Sequence, residues 1–122
     1  MGSPTTERTT EERLEGATAL KVEGRYDEAE EILTALLAAE PDHPQARREY
    51  GLVLGFTGRF DESIDELRRV VELDPQYLEA RIDLALTYSM LGQIDEARVE
   101  LEAVLEIDPA NAAALRHIVY FR

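Results

Sequence analysis

Three Asp-Glu pairs, at positions 27–28, 61–62 and 95–96, are the densest reactive groups in the chain. Neighbouring carboxylates divide acid and base work when their surroundings push their pKa values apart. These pairs, however, recur every 34 residues, always at the same place beside a break in the apolar pattern. That placement predicts helix starts, with Asp27, Asp61 and Asp95 accepting from the free N–H groups of a first turn. Glu28 and Glu30 then add negative charge near a positive helix end. His43 and His117 are far apart, and a metal site needs several convergent donors. His43 is expected simply to be solvated, in a loop beside Pro41 and Pro44. Ser63 and Ser89 have no His at a matching register to activate them. Gly51, Gly55 and Gly58 lack the Lys and the preceding strand of a phosphate loop. Without cysteine there is neither a disulfide framework nor a thiolate metal site. The expectation is a chain that is not an enzyme, with no catalytic residue, no metal and no cofactor.

The elements behind these groups come in threes. Gly24, Gly58 and Gly92 are 34 residues apart, as are Pro41, Pro75 and Pro109. A fixed period of this length signals an array of stacked units. Each unit holds two apolar runs at helical spacing. In the first, Leu14, Ala17, Leu20 and Lys21 recur before Gly24, and Ile32, Leu33, Leu36 and Leu37 recur before Pro41. In the second, Tyr50, Val53 and Leu54 are followed by Ile64, Leu67, Val70 and Val71. Thr9 with Glu12 forms a capping-box pattern that opens the first helix. Gly24 stops that helix because the position beyond the end needs positive φ, and Pro41 cannot continue the next one. Gly51 stands where Ala17 and Ala85 stand, which predicts a close helix approach. With Gly55 nearby, its helix is expected to be the least regular.

The whole pattern resembles the tetratricopeptide repeat. The resemblance rests on Leu84, Ala85, Tyr88, Gly92, Ala97, Leu101 and Pro109 in the third unit. Gly51, Gly58, Phe60, Leu67 and Pro75 carry it in the second, and Ala17, Leu20, Gly24, Tyr26, Ala29, Leu33 and Pro41 in the first. Two departures stand out: Arg13, Arg47 and Arg81 replace a frequent Trp, and Leu36, Val70 and Val104 replace a usual Ala. The expected fold is all-α, an α-solenoid of three tetratricopeptide-like helix pairs plus one C-terminal helix. Residues 1–9 form a polar leader and 10–122 a single domain, with repeats 10–43, 44–77 and 78–111 and a terminal helix at 112–122. Leu115, Ile118 and Val119 are expected to cover the third repeat. Ending in Ile118, Val119, Tyr120 and Phe121, this helix lacks the polar outer face of an ordinary end cap.

Such a family implies a non-enzymatic scaffold that binds a partner peptide or helix in its concave groove. By analogy, the inward side chains are Leu14, Thr18 and Val22, then Glu49, Leu52 and Phe56, then Ile82, Asp83, Leu86 and Met90, with Tyr120 last. Arg48, Arg116 and His117 accompany them. An apolar floor rimmed by Glu11, Glu15, Glu49, Glu79 and Asp83 suits a protein or peptide with apolar anchors and basic residues. Some relatives clamp a terminal carboxylate with Lys, Asn and Arg. The matching places here hold Leu14, Thr18, Glu49, Glu79 and Asp83, which argues against that clamp. A net charge of −13 disfavours nucleic acid and anionic membrane surfaces, and no apolar run suits membrane insertion. The alternatives are a homo-oligomer formed through the apolar C-terminal helix, or the repeat domain of a larger multidomain protein. Cytoplasmic localisation is the default. Met1-Gly2-Ser3 is consistent with a cloning scar, behind which a native leader would have been removed.

Overall fold

Thr9 starts the first helix. Its hydroxyl accepts from the Glu12 N–H at 3.1 Å, and the Glu12 carboxylate accepts from the Thr9 N–H at 2.9 Å. This is the reciprocal box that the sequence predicts. The structure, a computed structural model, describes residues 8–121. Most of the expected leader therefore lies outside the described residues. Three helix pairs follow: α1 (Thr10–Val22) with α2 (Tyr26–Ala39), α3 (Pro44–Phe56) with α4 (Phe60–Leu73), and α5 (Leu78–Met90) with α6 (Ile94–Ile107). A seventh helix, α7 (Ala112–Ile118), ends in a 3-10 turn at Val119–Phe121. The chain is an all-α solenoid.

The turn within each pair is made by backbone. Gly24, Gly58 and Gly92 sit at φ of 80°, 83° and 76°, where a side chain would be strained. This lets the Arg25 N–H donate to the Leu20 carbonyl at 2.8 Å and the Gly24 N–H to the Lys21 carbonyl at 2.9 Å, a Schellman closure. Arg59 with Leu54 and Gln93 with Tyr88 repeat it. The residue after each glycine therefore ends one helix and caps the next. The Arg25 carbonyl already accepts from the Ala29 N–H. Here the expected Asp caps are corrected. Arg25, Arg59 and Gln93 occupy the cap positions with no side-chain capping bond. Asp27, Asp61 and Asp95 fall inside the first turn, where their charge still opposes the positive helix end. The turn is too tight to leave a separate capping residue.

The turns between pairs use a different device. Thr9, His43, Tyr77 and Asn111 share one register. Three of them cap: His43 Nδ1 accepts from the Ala46 N–H at 3.1 Å, and Asn111 Oδ1 from the Ala114 N–H at 2.9 Å. His43 is thus a helix cap, not a merely solvated loop residue. Tyr77 makes no such bond.

The predicted stripes supply the core, with Leu14, Leu20, Ile32, Tyr50 and Val71 half-buried at its margin. Leu33, Leu36, Val53, Leu54, Leu67 and Val70 are essentially inaccessible, as are Leu84, Leu101 and Val104 in the third repeat. The second repeat is the tightest. A methyl at Gly51 would lie 3.0 Å from Leu67 Cγ, and Ser63 Oγ donates to the Gly51 carbonyl at 2.7 Å. Despite two glycines, α3 is unbroken and as long as α1 and α5, because packing overrides weak propensity. Two of the three arginines at the usual Trp position, Arg47 and Arg81, act as clamps between elements. Arg47 donates to the Pro41 carbonyl at 3.0 and 2.6 Å and to Glu66 at 2.6 Å. Arg81 donates to Pro75 at 2.8 Å and to Glu100 at 3.1 Å.

At the C-terminal end the buried set differs from expectation. Ala114, Ile118 and Phe121 are buried, whereas Leu115 and Val119 remain 43% and 57% exposed. The change to a 3-10 turn at Val119 rotates Phe121 inward, and its carbonyl accepts from Arg98 Nε at 2.6 Å.

Candidate functional site

The first helix of each pair lines the inner side. α1 lies against α3, and α3 against α5, contacts that α2, α4 and α6 do not match among themselves. Along this face the structure sorts the predicted groove residues into three depths. Val22, Phe56 and Met90, the last residues of α1, α3 and α5, are 79%, 60% and 60% exposed. Phe56 also stacks on Tyr26 of the preceding repeat, with ring centroids 5.6 Å apart. One turn further in, Thr18, Leu52 and Leu86 are half-buried. Leu14 and Ile82 are half-buried as well, and each packs on a core cluster. Tyr120 projects from the 3-10 turn and is largely exposed.

Two of the expected rim acids are internal. Glu49 is 9% exposed, and its Oε1 stands 2.8 Å from Lys21 Nζ, close enough for an ion pair though not aligned as a hydrogen bond. Asp83 Oδ2 accepts from Arg48 Nε at 2.6 Å. Burial pushes the Asp83 carboxyl up, and the Arg48 bond partly opposes the rise. Both pairs cross from one repeat to the next. Glu11, Glu15 and Glu79 are exposed.

A cavity of about 640 Å³ opens between α1, α3 and the turn into α5. Leu14, Thr18 and Glu49 line it together with Glu11, Glu15, Ala19, Gln45, Arg48 and Tyr77. The cavity leaves out Val22, Leu52, Phe56, Ile82, Asp83, Leu86, Met90 and Tyr120. The Arg48 guanidinium lies over the Tyr77 ring, 5.8 Å from its centroid. Sequence reasoning missed Tyr77. The signal was its register: Thr9, His43 and Asn111 cap their helices, and Tyr77 alone cannot. Its ring faces the inner surface instead, and burial there raises its hydroxyl pKa.

Stacked helix hairpins with an open inner face and no strand among the described residues define a helical repeat protein. Tetratricopeptide repeat models match residues 14–77 and 57–117. The chain belongs to the tetratricopeptide repeat family. None of the curated proteins compared matches it. Among solved structures it is similar to the first such domain of Spaghetti (RPAP3) bound to the HSP90 peptide SRMEEVD. That match has 22% identity and a TM-score of 0.85, over 92% of this chain and 89% of the other. The second such domain of human RPAP3, solved with the HSP70 peptide SGPTIEEVD, matches at 21% identity and a TM-score of 0.82, over 89% and 91%. An O-GlcNAc transferase mutant of Thermobaculum terrenum matches at 24% identity and a TM-score of 0.85. That match covers 99% of this chain but 23% of the other. At these identities the likeness is one of fold. Among the described residues no helix is long and apolar enough to cross a membrane.

Proposed function

We propose that the chain is a non-enzymatic scaffold whose inner face holds a segment of another protein, with apolar anchors and basic side chains. The observation that carries this reading is the sign of the cavity wall. Glu11 and Glu15 line it without an ion-pair partner among the described residues, while Glu49 is tied to Lys21 and its cation, Arg48, to Asp83. A peptide ending in EEVD, such as those on the RPAP3 domains, would meet like charge here. A Lys or Arg side chain would find carboxylates at its tip and Leu14 with the Tyr77 ring along its stem. Leu52 and Leu86, half-buried further along, would take apolar anchors.

Fluorescence anisotropy with labelled short peptides tests this. Peptides combining Leu or Phe with Lys or Arg should bind, and SRMEEVD should not. Charge reversal by Glu11→Lys with Glu15→Lys, both at exposed positions, should weaken the basic peptides by about ten-fold, the effect of losing roughly 1.4 kcal/mol. Equal binding of the acidic peptide would refute the reading.

A second reading, self-association through α7, is favoured by the exposure of Leu115, Val119 and Tyr120. Light scattering across concentration tests it, and a strict monomer removes it.

A further inference from the structure

We propose that an open cleft on the outer surface, between the second and third repeats, takes the guanidinium of an arginine on a partner protein. The cleft, of about 520 Å³, has two walls. Asp61, Ile64, Asp65 and Arg68 form one, a single stripe along α4 at three- and four-residue spacing. Tyr88, Gln93 and Glu96 form the other, from the end of α5 to the start of α6. None of these residues lines the inner cavity. Tyr88 stands two residues beyond Leu86, about 200° round α5, so the two side chains leave on opposite sides of that helix.

The first junction shows what such a cleft holds. At the same register one repeat earlier, Arg59 stands for Gln93 and Glu30 for Ile64. Arg59 reaches back from its turn and donates to both Glu30 carboxylate oxygens, at 3.0 and 2.5 Å. The chain thus fills that junction with a guanidinium of its own. At the second junction neither member of the pair is present: Gln93 is exposed, and Ile64 makes a buried apolar floor. The negative surroundings persist, because Asp61, Asp65 and Glu96 stand where Asp27, Glu31 and Glu62 stand. Among the described residues those three carboxylates join no ion pair.

The sign of these groups asks for a cation, and the walls narrow the choice. Among the described residues no three such groups converge as metal ligands. An arginine can lay its planar head against the Tyr88 ring and its stem over Ile64, while its N–H groups donate in several directions. A lysine brings a point charge without the stacking plane. Burial raises the Tyr88 hydroxyl pKa, and Arg68 opposes the rise, so the ring is already partly withdrawn from water. Arg68 lies at the far end of the α4 stripe, about 10.5 Å along the helix from Asp61, which leaves the end beside Gln93 to an incoming cation.

The test titrates the whole chain with the capped peptide acetyl-Gly-Arg-Gly amide and follows backbone amide shifts by NMR. Shifts should appear at Tyr88, Gln93 and Glu96. The citrulline version, of the same shape but neutral, should bind about ten-fold more weakly at those amides, and the lysine version a few-fold more weakly. Gln93→Arg restores the internal guanidinium of the first junction at an exposed position. It should lower affinity by about ten-fold, whereas Gln93→Ala should stay within about two-fold of wild type. Tyr88→Leu installs the residue that Leu20 and Leu54 supply at this register. It should weaken binding a few-fold with helical circular dichroism unchanged. Glu11→Lys with Glu15→Lys, which tests the inner cavity, should leave the response at Gln93 within about two-fold, so the two sites fail separately. Equal binding of the citrulline peptide overturns the proposal. So does wild-type affinity in Gln93→Arg, or a set of shifts confined to the inner face around Thr18 and Tyr77.

Discussion

The middle repeat exchanges one packing solution for another, and a double-mutant cycle exposes the exchange. The first and third repeats place Ala17 and Ala29, or Ala85 and Ala97, at the registers where the second places Gly51 and Ser63. Without a methyl at Gly51, α3 lies close enough to α4 for Ser63 Oγ to reach the Gly51 carbonyl at 2.7 Å. Gly51→Ala gains about 1 kcal/mol of helix propensity. It also sets a methyl 3.0 Å from Leu67 Cγ and 3.2 Å from Leu67 Cδ2, and Leu67 is fully buried. Overpacking of this kind costs about 1–3 kcal/mol, so the net loss is about 1 kcal/mol. Ser63→Ala loses a buried hydrogen bond of about 1 kcal/mol and regains about 0.5 kcal/mol of propensity. In the double variant no hydroxyl bond holds the helices together, and α3 relaxes to a spacing that accommodates alanine, as its neighbours do. The double should therefore lie near wild type, against a summed loss of about 1.5 kcal/mol, a coupling within the range for residues in contact. Urea unfolding followed by circular dichroism on the four proteins measures it. Gly16→Ala, with nothing within 4 Å of the added carbon, is the control and should stabilise by up to about 1 kcal/mol. Strict additivity, or a Gly51→Ala variant that gains as much as the control, would refute the account.

Removing an arginine clamp tests the register where the family usually places Trp. Arg81→Ala frees the Pro75 carbonyl and Glu100 together and should cost about 1–2 kcal/mol in urea unfolding; no loss would show that the clamp is incidental. Two carboxylates should give opposite pH slopes. The Arg59 hydrogen bond holds the Glu30 carboxyl below its ordinary range. Its contribution is thus full above the unfolded value of about 4.3 and is lost as pH falls through the folded one. The gap between wild type and Glu30→Gln should narrow on acidification. Burial raises the Asp83 carboxyl, so wild type should gain on Asp83→Asn as pH falls through that raised value. Unfolding midpoints of the three proteins from neutral pH to about pH 3 read both slopes, and slopes of the same sign would contradict the assignment.

The array was legible because its punctuation is local. A glycine at positive φ and a proline after each second helix state the period by themselves, and the apolar spacing states the helices. What escaped was whatever depends on side chains meeting across repeats. Lys21 meets Glu49 and Arg48 meets Asp83 through stacking, and no short spacing announces either pair. As a result, two acids expected on the rim proved to be internal counter-charges. The Asp caps were misplaced for a backbone reason: Arg25, Arg59 and Gln93 serve two helices at once. The inward set of α7 shifted because three residues wound as a 3-10 turn, which tightens the side-chain period to three. Tyr77 could have been found by comparing registers, since Thr9, His43 and Asn111 all cap and it does not.

The inner ion pairs bear on how such a face could hold a basic partner. Each repeat contacts only its neighbours, so the width of the groove is set at two interfaces. Lys21 with Glu49 ties the first, and Arg48 with Asp83 ties the second. The chain carries a net charge of −13, and self-repulsion acts to open an array of this kind. Cations placed between first helices counter that opening where the curve is tightest, and because the ties are largely shielded from water, salt screens them weakly. Glu11 and Glu15, exposed at the mouth, repel each other until an outside cation arrives. A basic side chain entering there would relieve that repulsion without breaking either tie, so binding would leave the frame of the groove in place.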